Sequence, residues 1–400
     1  MSISVCMIAK NEERFIGGCI DHLKNLAKEI IVVDTGSSDR TVEIAQQSGA
    51  RVSSTKWEND FAKARNLSLD KATQKWILII DPDERIADRD IERILALTND
   101  TSNMAYSFNA RNYSENPMAS GFIPCQGAYS EEEGYPGYFE SRKVRLFQNI
   151  PSIRFKGSVH ELVESTVKGK IVESDIPFHH FGSSKQVAEE KAKRQFYQKR
   201  AEQKVSEEPG NWKAHFEQGV EWLGASEYKK AAVALKKARE FNPQEKLVLS
   251  NLGYALMESG QHDEAEEALK ACLKVDPRNH DAVLNLGVNE MRRQRYDRAL
   301  QIFDKLVRMY PNSFLAFRNS GNCLARLKKM REAAACFEKA LSIFPDYNDA
   351  RIDLGIVCFA AGRLDLAEKV LNVALQRDPM SLRTQAVLDE IKKLKSTKKA

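Results

Sequence analysis

Six prolines, Pro209, Pro243, Pro277, Pro311, Pro345 and Pro379, follow one another at a constant interval of 34 residues. Glycines keep that interval at Gly219, Gly253, Gly287, Gly321 and Gly355, and alanines keep it at Ala231, Ala265, Ala299, Ala333 and Ala367. Three residue types in one register make the second half of the chain a stack of equal units, each built from two helical patterns. The small Gly and Ala belong where the two helices of a pair approach closely. Pro belongs where the second helix must stop, because it cannot extend the hydrogen-bond ladder. Five units follow, near 212–245, 246–279, 280–313, 314–347 and 348–381. After them Ser381–Lys395 carries apolar residues on one side and charge on the other, as suits a helix covering the last unit.

A two-helix unit of this length resembles the tetratricopeptide repeat. The resemblance implies binding of a peptide or protein on a concave face, or a homo-oligomer formed through the repeats; bracing of the first half is the plainer reading. Cys and Met in this half recur at helical spacing and read as core.

A chain of 400 residues is too long for one ordinary core. The expected division is a domain at 1–183, a bridging helix at 184–210, five repeats at 211–381, and a capping helix with its tail at 382–400. An apolar content of 42% and a charged content of 29% are those of a soluble globular protein. No apolar run approaches the roughly 18 residues of a membrane span. The opening MSISVCMIAKNEERF puts charge after a short apolar run, the reverse of a signal peptide, so cytoplasmic residence is expected. Seven scattered cysteines without a C-x-x-C pair point to neither a disulfide framework nor a structural zinc site. A net charge of +5, with acids and bases interleaved, calls for no nucleic acid, and the basic KKLKSTKKA tail reads as a solvated terminus.

The first half alternates apolar β-branched runs with helical stretches: Ile3–Ile8, a helix at Arg14–Leu26, Ile30–Val33, a helix at Thr41–Ser48, a short strand near Ala50–Ser53, a helix at Asn66–Thr73, and the buried run Trp76–Ile80. That order predicts an α/β fold with a mainly parallel sheet, whose ligands collect at the carboxyl ends of the strands. The residues to weigh there are Ala9-Lys10-Asn11-Glu12, then Asp34 through Asp39, then Asp81-Pro82-Asp83. Neither G-x-G-x-x-G after the first strand nor G-x-x-x-x-G-K-[ST] anywhere is present, so dehydrogenase and P-loop readings lose their main support.

In an extended segment residues i and i+2 share a side, so Asp81 and Asp83 can offer two carboxylates to one divalent cation, which suits a diphosphate. The plainer reading is a turn that caps a helix near Arg89–Leu97.

The ordered set ISVCMIAKNEE, EIIVVDTGSSDRTVEIA and FAKARNLSLDKATQKWILIIDPDE resembles family 2 of the nucleotide-sugar glycosyltransferases, with its Rossmann-like GT-A fold, over roughly the first 200 residues. Pro82 departs from the small residue usual between the two aspartates, and stiffens the loop without removing either acid. The resemblance implies Asp34 at the nucleobase, Ala9, Asn11 and Glu12 at the nucleoside pocket, Arg65 at the base or diphosphate, and Mn2+ or Mg2+ on Asp81 and Asp83. Asp39 reads instead as the cap of the helix that begins at Thr41. Further on, KVRLF, the segment from Phe155 to Glu161 and His179-His180-Phe181-Gly182 resemble the RLF, G-x-V-H-E and H-x-G segments of bacterial family 2 enzymes that also carry tetratricopeptide repeats, sublancin-type peptide S-glycosyltransferases among them. His180 is the expected third metal ligand, in preference to His179. The family's usual E-D pair is absent, which leaves Glu161, then His160, to act as base.

Tyr113–Tyr138 lacks a period and is rich in Gly, Pro and Tyr, the composition of a lid or of a surface insertion. Ser184–Ser206 reads as one charged helix joining the halves. The expectation is therefore an inverting transferase that moves a hexose, glucose for instance, from a UDP-sugar to a peptide or protein. Transfer to a cell-surface polysaccharide or lipopolysaccharide precursor is the alternative acceptor chemistry. A scaffold with a decayed domain is the alternative class, against which four intact charged positions, Asp34, Arg65, Asp81 and Asp83, count.

Overall fold

The computed structural model describes residues 2–117, 121–157, 161–182 and 187–397. The chain divides into two compact units, Met1–Gln186 and Val187–Ala400. The expected fold class holds: a mixed-sheet α/β unit is followed by an all-helical one.

The first unit opens with β1 (Ile3–Ala9), α1 (Ile16–Leu23), β2 (Glu29–Asp34), α2 (Thr41–Gln47), β3 (Arg51–Ser54), α3 (Phe61–Leu69) and β4 (Trp76–Ile79). These four strands pair in parallel, with Ala9 level with Asp34 at the carboxyl lip. Beyond them come β5 (Glu84–Arg85), α4 (Ile91–Leu97), β6 (Ala105–Ser114), β7 (Ile123–Pro124), β8 (Gly137–Gln148) and β9 (Ile171–His180). The sheet order is β3-β2-β1-β4-β8-β6-β9-β5, with β7 on β8. Its second half is largely antiparallel, and among the described residues only β6 and β9 run parallel there. Parity along β1 explains the layering, since alternate side chains of a strand face opposite sides. Ile3, Val5 and Met7 pack with α1 residues such as Ile20, whereas Cys6 packs with Leu69 of α3 and with Phe155.

Two local expectations change. The helix expected at Asn66–Thr73 starts at Phe61 instead, because the Asp60 carboxylate accepts the Lys63 N–H and caps it there. The stretch expected to be irregular from Tyr113 to Tyr138 has strand at both ends. Its middle is tied down by buried Glu132, whose carboxylate accepts the backbone N–H groups of Gln126, Gly127 and Ala128.

In the second unit α5 (Val187–Glu207) precedes five helix pairs: α6 (Trp212–Gly224) with α7 (Tyr228–Phe241), α8 (Lys246–Glu258) with α9 (His262–Val275), α10 (His280–Arg292) with α11 (Tyr296–Met309), α12 (Phe314–Arg326) with α13 (Met330–Ile343), and α14 (Asn348–Ala360) with α15 (Leu364–Arg377). α16 (Leu382–Thr397) closes the array, burying Leu388 and Ile391. The periodic glycines are contact points. A Cβ at Gly287 would meet Phe303 at 2.4 Å, and one at Gly253 would meet Leu269 at 2.5 Å. The periodic alanines are fully buried. The turn within each pair also repeats, with one left-handed residue each at Ser226, Gly260, Gln294, Lys328 and Gly362. No helix among the described residues is long and apolar enough to cross a membrane.

Candidate active site

The carboxyl ends of β1 and β2 make the first wall. Asp34 is buried, and its carboxylate accepts the N–H groups of Gly36 and Ser37 and the Ser37 hydroxyl, which folds the loop back on the strand end. Asn11, with φ of 55°, accepts the Ser38 N–H on its Oδ1 at 2.8 Å, and its own N–H donates to Ser37 Oγ at 2.9 Å. The Glu12 N–H donates to Thr41 Oγ1, and the Ala9 carbonyl accepts from Thr35. Ala9, Asn11, Glu12 and Asp34 therefore share one lip. Asp39 stands one residue outside the formal cap Arg40, and its Oδ1 accepts the Thr41 N–H at 3.0 Å.

The end of β4 holds the second group. Arg65, on α3, donates from Nε to Glu161 Oε1 at 2.7 Å and from Nη2 to Asp81 Oδ1 at 3.0 Å. Its Nη1 is buried with no hydrogen-bond partner among the described residues. These residues line a cleft with Lys143, Arg145 and Phe155. Burial acts to raise the Asp81 carboxyl, but the Arg65 and Arg145 guanidinium groups outweigh it and hold Asp81 below the usual carboxylate range.

A third group forms where β5 meets β9. Glu84 pairs with His180 and Arg85 with His179 in the strand register, and the Phe181 N–H donates to the Asp83 carbonyl at 2.9 Å. Asp83 Oδ2 then faces His180 Nε2 at 3.5 Å. His180 Nδ1 lies 2.8 Å from Asn112 Oδ1, so it is the nitrogen that carries the proton and Nε2 is left to face the acid. Burial acts to lower His180, while Asp83 and Glu84 more than offset it and raise its proton affinity. His179 is fully buried, with Nδ1 against the Tyr113 hydroxyl at 2.7 Å, and it packs rather than faces the acids. His160 lies outside the described residues.

The expected ligands Asp81, Asp83 and His180 do not close into one cage. Among the described residues no three His, Cys, Asp or Glu side chains surround a common point. Asp83 and His180 face each other, whereas Asp81 is engaged by Arg65. The pair still fits a divalent ion of intermediate hardness, which takes carboxylate oxygen and imidazole nitrogen together. Gly182 keeps the space beside it clear, since a Cβ there would stand 2.7 Å from His180 Nε2 and 3.2 Å from Asp83 Oδ2.

Asn112 comes from near the end of β6, where no motif announces it. Arg145 lies inside KVRLF, where the segment's resemblance assigns it no role. A charge between Val144 and Leu146 in a buried strand was the available signal.

Comparison with known proteins agrees with this architecture. The family described as Glycosyl transferase family 2 matches residues 4–156, and tetratricopeptide families match 250–314, 223–271 and 324–391. A TPR repeat-containing protein of Synechococcus elongatus is 36% identical over 166 residues, 41% of this chain and 36% of that protein. The glycosyltransferase SunS of Bacillus subtilis is 30% identical over 162 residues, 40% of this chain and 34% of SunS. An uncharacterized glycosyltransferase of Rickettsia felis is 30% identical over 190 residues, 46% of this chain and 63% of its own length. The chain thus spans about a third of the first two relatives and under two thirds of the other. Among solved structures it is similar to PilF of Pseudomonas aeruginosa, at 20% identity over 47% of this chain and 86% of that one, with a TM-score of 0.42. Residues 4–156 form a glycosyl transferase family 2 domain, and the helical half of the chain carries tetratricopeptide repeats.

Proposed function

We propose that this protein is an inverting glycosyltransferase that moves a hexose from a UDP-sugar to a peptide or protein side chain. The observation that carries the reading is the meeting of Asp83 and His180 beside Gly182, where β5 pairs with β9. The family 2 match over residues 4–156 and the likeness to SunS support it.

In this reading Asp34, Asn11, Glu12 and Ala9 hold the nucleoside at the β1–β2 lip. Asp83 and His180 hold Mn2+ or Mg2+, with Asp81 alongside, and the ion's chemistry is to neutralise the departing diphosphate. Arg65 turns its Nη1, unpaired among the described residues, to an anionic oxygen, an arrangement supported by the cost of leaving a buried guanidinium donor unsatisfied. The acceptor atom attacks the anomeric carbon as its bond to the diphosphate oxygen breaks, and the acceptor's proton passes to Glu161, which Arg65 orients. The repeats gather the acceptor chain.

Calorimetric titration of the full chain with UDP, with and without Mn2+, tests the reading. UDP binding strengthened by Mn2+ in the wild type and abolished as a linked effect in Asp83→Asn, at unchanged melting temperature, is expected. No metal-linked binding in the wild type would leave an interaction scaffold.

A further inference from the structure

Three acids, Asp81, Asp83 and Glu84, fall within four consecutive residues, and Asp83 and Glu84 are both buried. Buried like charges repel one another, so the segment keeps one conformation only if cations are fixed beside it. Arg65 answers Asp81 from α3, and the His180 ring faces Asp83 from β9. Glu84 has the least exposed side chain of the three, at 2%, and it is answered by Arg145 of β8, itself 8% exposed, at 2.5 Å.

The Arg145–Glu84 pair reaches beyond itself. Glu84 Oε2 accepts the Asp81 N–H at 2.9 Å, while Arg145 Nη1 stands 4.0 Å from Asp81 Oδ2. The pair therefore holds Asp81 by backbone and by side chain at once. The Glu84 N–H closes the turn onto the Asp81 carbonyl at 3.0 Å, which leaves Asp83 between two pinned residues. A guanidinium can serve two carboxylates in different directions because its donors form a rigid fork, and a lysine ammonium at the end of a flexible stem cannot reproduce that geometry.

We infer that Arg145 is a positioning residue: through Glu84 it sets the Asp81–Asp83 segment so that Asp83 meets His180, and so tunes the affinity for a divalent cation paired with a diphosphate. The inference rests on the function proposed above, but assigns Arg145 no contact with donor or acceptor. The side chain is largely buried and packed over the Phe178 ring at 5.5 Å.

The experiment titrates the full chain with UDP, with and without Mn2+, and reads the ratio of the two affinities in wild type, Arg145→Lys, Arg145→Met and Glu84→Gln. The expected result is a ratio reduced about tenfold or more in all three variants, the effect usual for removing a support behind a metal ligand, with metal-free UDP affinity unchanged. Glu84→Gln is close to isosteric and retains an acceptor for the Asp81 N–H, so it serves if Arg145→Met does not fold. A purely structural arginine would lower the melting temperature and leave the ratio of the folded protein untouched, which overturns the inference. Equal losses with and without Mn2+ also overturn it, by making Arg145 a direct nucleotide contact. A wild type with no Mn2+ effect defeats the proposed function itself, and is told apart because it appears before any variant is compared.

Discussion

His180 is turned toward Asp83 by Asn112: the 2.8 Å contact of its Nδ1 with Asn112 Oδ1 leaves Nε2 facing Asp83 Oδ2 at 3.5 Å. The amide sits on β6 and the imidazole on β9, paired in the strand register, so the orientation is built into the sheet. Replacing Asn112 by Leu removes the acceptor while keeping a similar volume. Metal-linked UDP affinity should fall about tenfold to a hundredfold, the usual effect of losing the partner that orients a ligating imidazole. Calorimetry with and without Mn2+ measures it. Unchanged linkage would mean that His180 needs no partner to aim it.

Gly182 gives a steric counterpart. An added methyl would press on His180 Nε2 at 2.7 Å and on Asp83 Oδ2 at 3.2 Å, and the latter oxygen belongs to a side chain only 8% exposed. Gly182→Ala should therefore abolish the Mn2+ enhancement of UDP binding with little change in melting temperature. An enhancement retained at wild-type strength would show that the ion sits elsewhere.

The repeats offer a stability prediction that leaves the site alone. In Gly287→Ala the new methyl meets Phe303, a ring with no exposed surface, at 2.4 Å. Overpacking of this kind costs about 1–3 kcal/mol. Urea unfolding of the full chain followed by circular dichroism should show the helical signal lost at lower denaturant, while UDP binding holds. Loss of both together would mean that the two units unfold as one.

The difference between what was and was not legible in the sequence follows range. Gly287 meets Phe303 only 16 residues on, and the same relation recurs in every repeat, so one local rule wrote the whole array. The left-handed turn residue recurs just as strictly but stayed hidden, because Ser226, Gln294 and Lys328 occupy it where glycine would have advertised it. In the first unit the strand ends were legible as apolar runs stopping at Ala9, Asp34 and Ile80. The start of α3 was not, since its signal is a single cap, Asp60, ahead of a stretch with no clear apolar stripe. Partners were the least legible. Arg65 and Glu161 lie 96 residues apart, and Arg145 and Glu84 lie 61 apart, so the tertiary fold and no local pattern decides that they touch. The acids could be listed from the sequence, but which cation answers which acid could not.

That assignment matters most for Glu161. Its Oε1 takes the Arg65 Nε–H at 2.7 Å, and Arg65 holds Asp81 with its other arm, so one guanidinium links the proposed base to the diphosphate side of the cleft. Glu161→Gln keeps an oxygen for Arg65 and removes the proton acceptor, separating the two duties. If Glu161 takes the acceptor's proton, turnover should fall about 10²–10⁴-fold, the range typical of a lost general base, with UDP affinity in Mn2+ unchanged. Stopped assays with the donor sugar that supports turnover would give the rate, and calorimetry the affinity. Should Glu161→Gln turn over within a few-fold of the wild type, holding Arg65 is its whole task, and the proton must leave by another group. A fall in UDP affinity alongside the rate would instead tie the carboxylate to donor binding through Arg65, because a loosened guanidinium weakens the diphosphate contact and the Asp81 contact together.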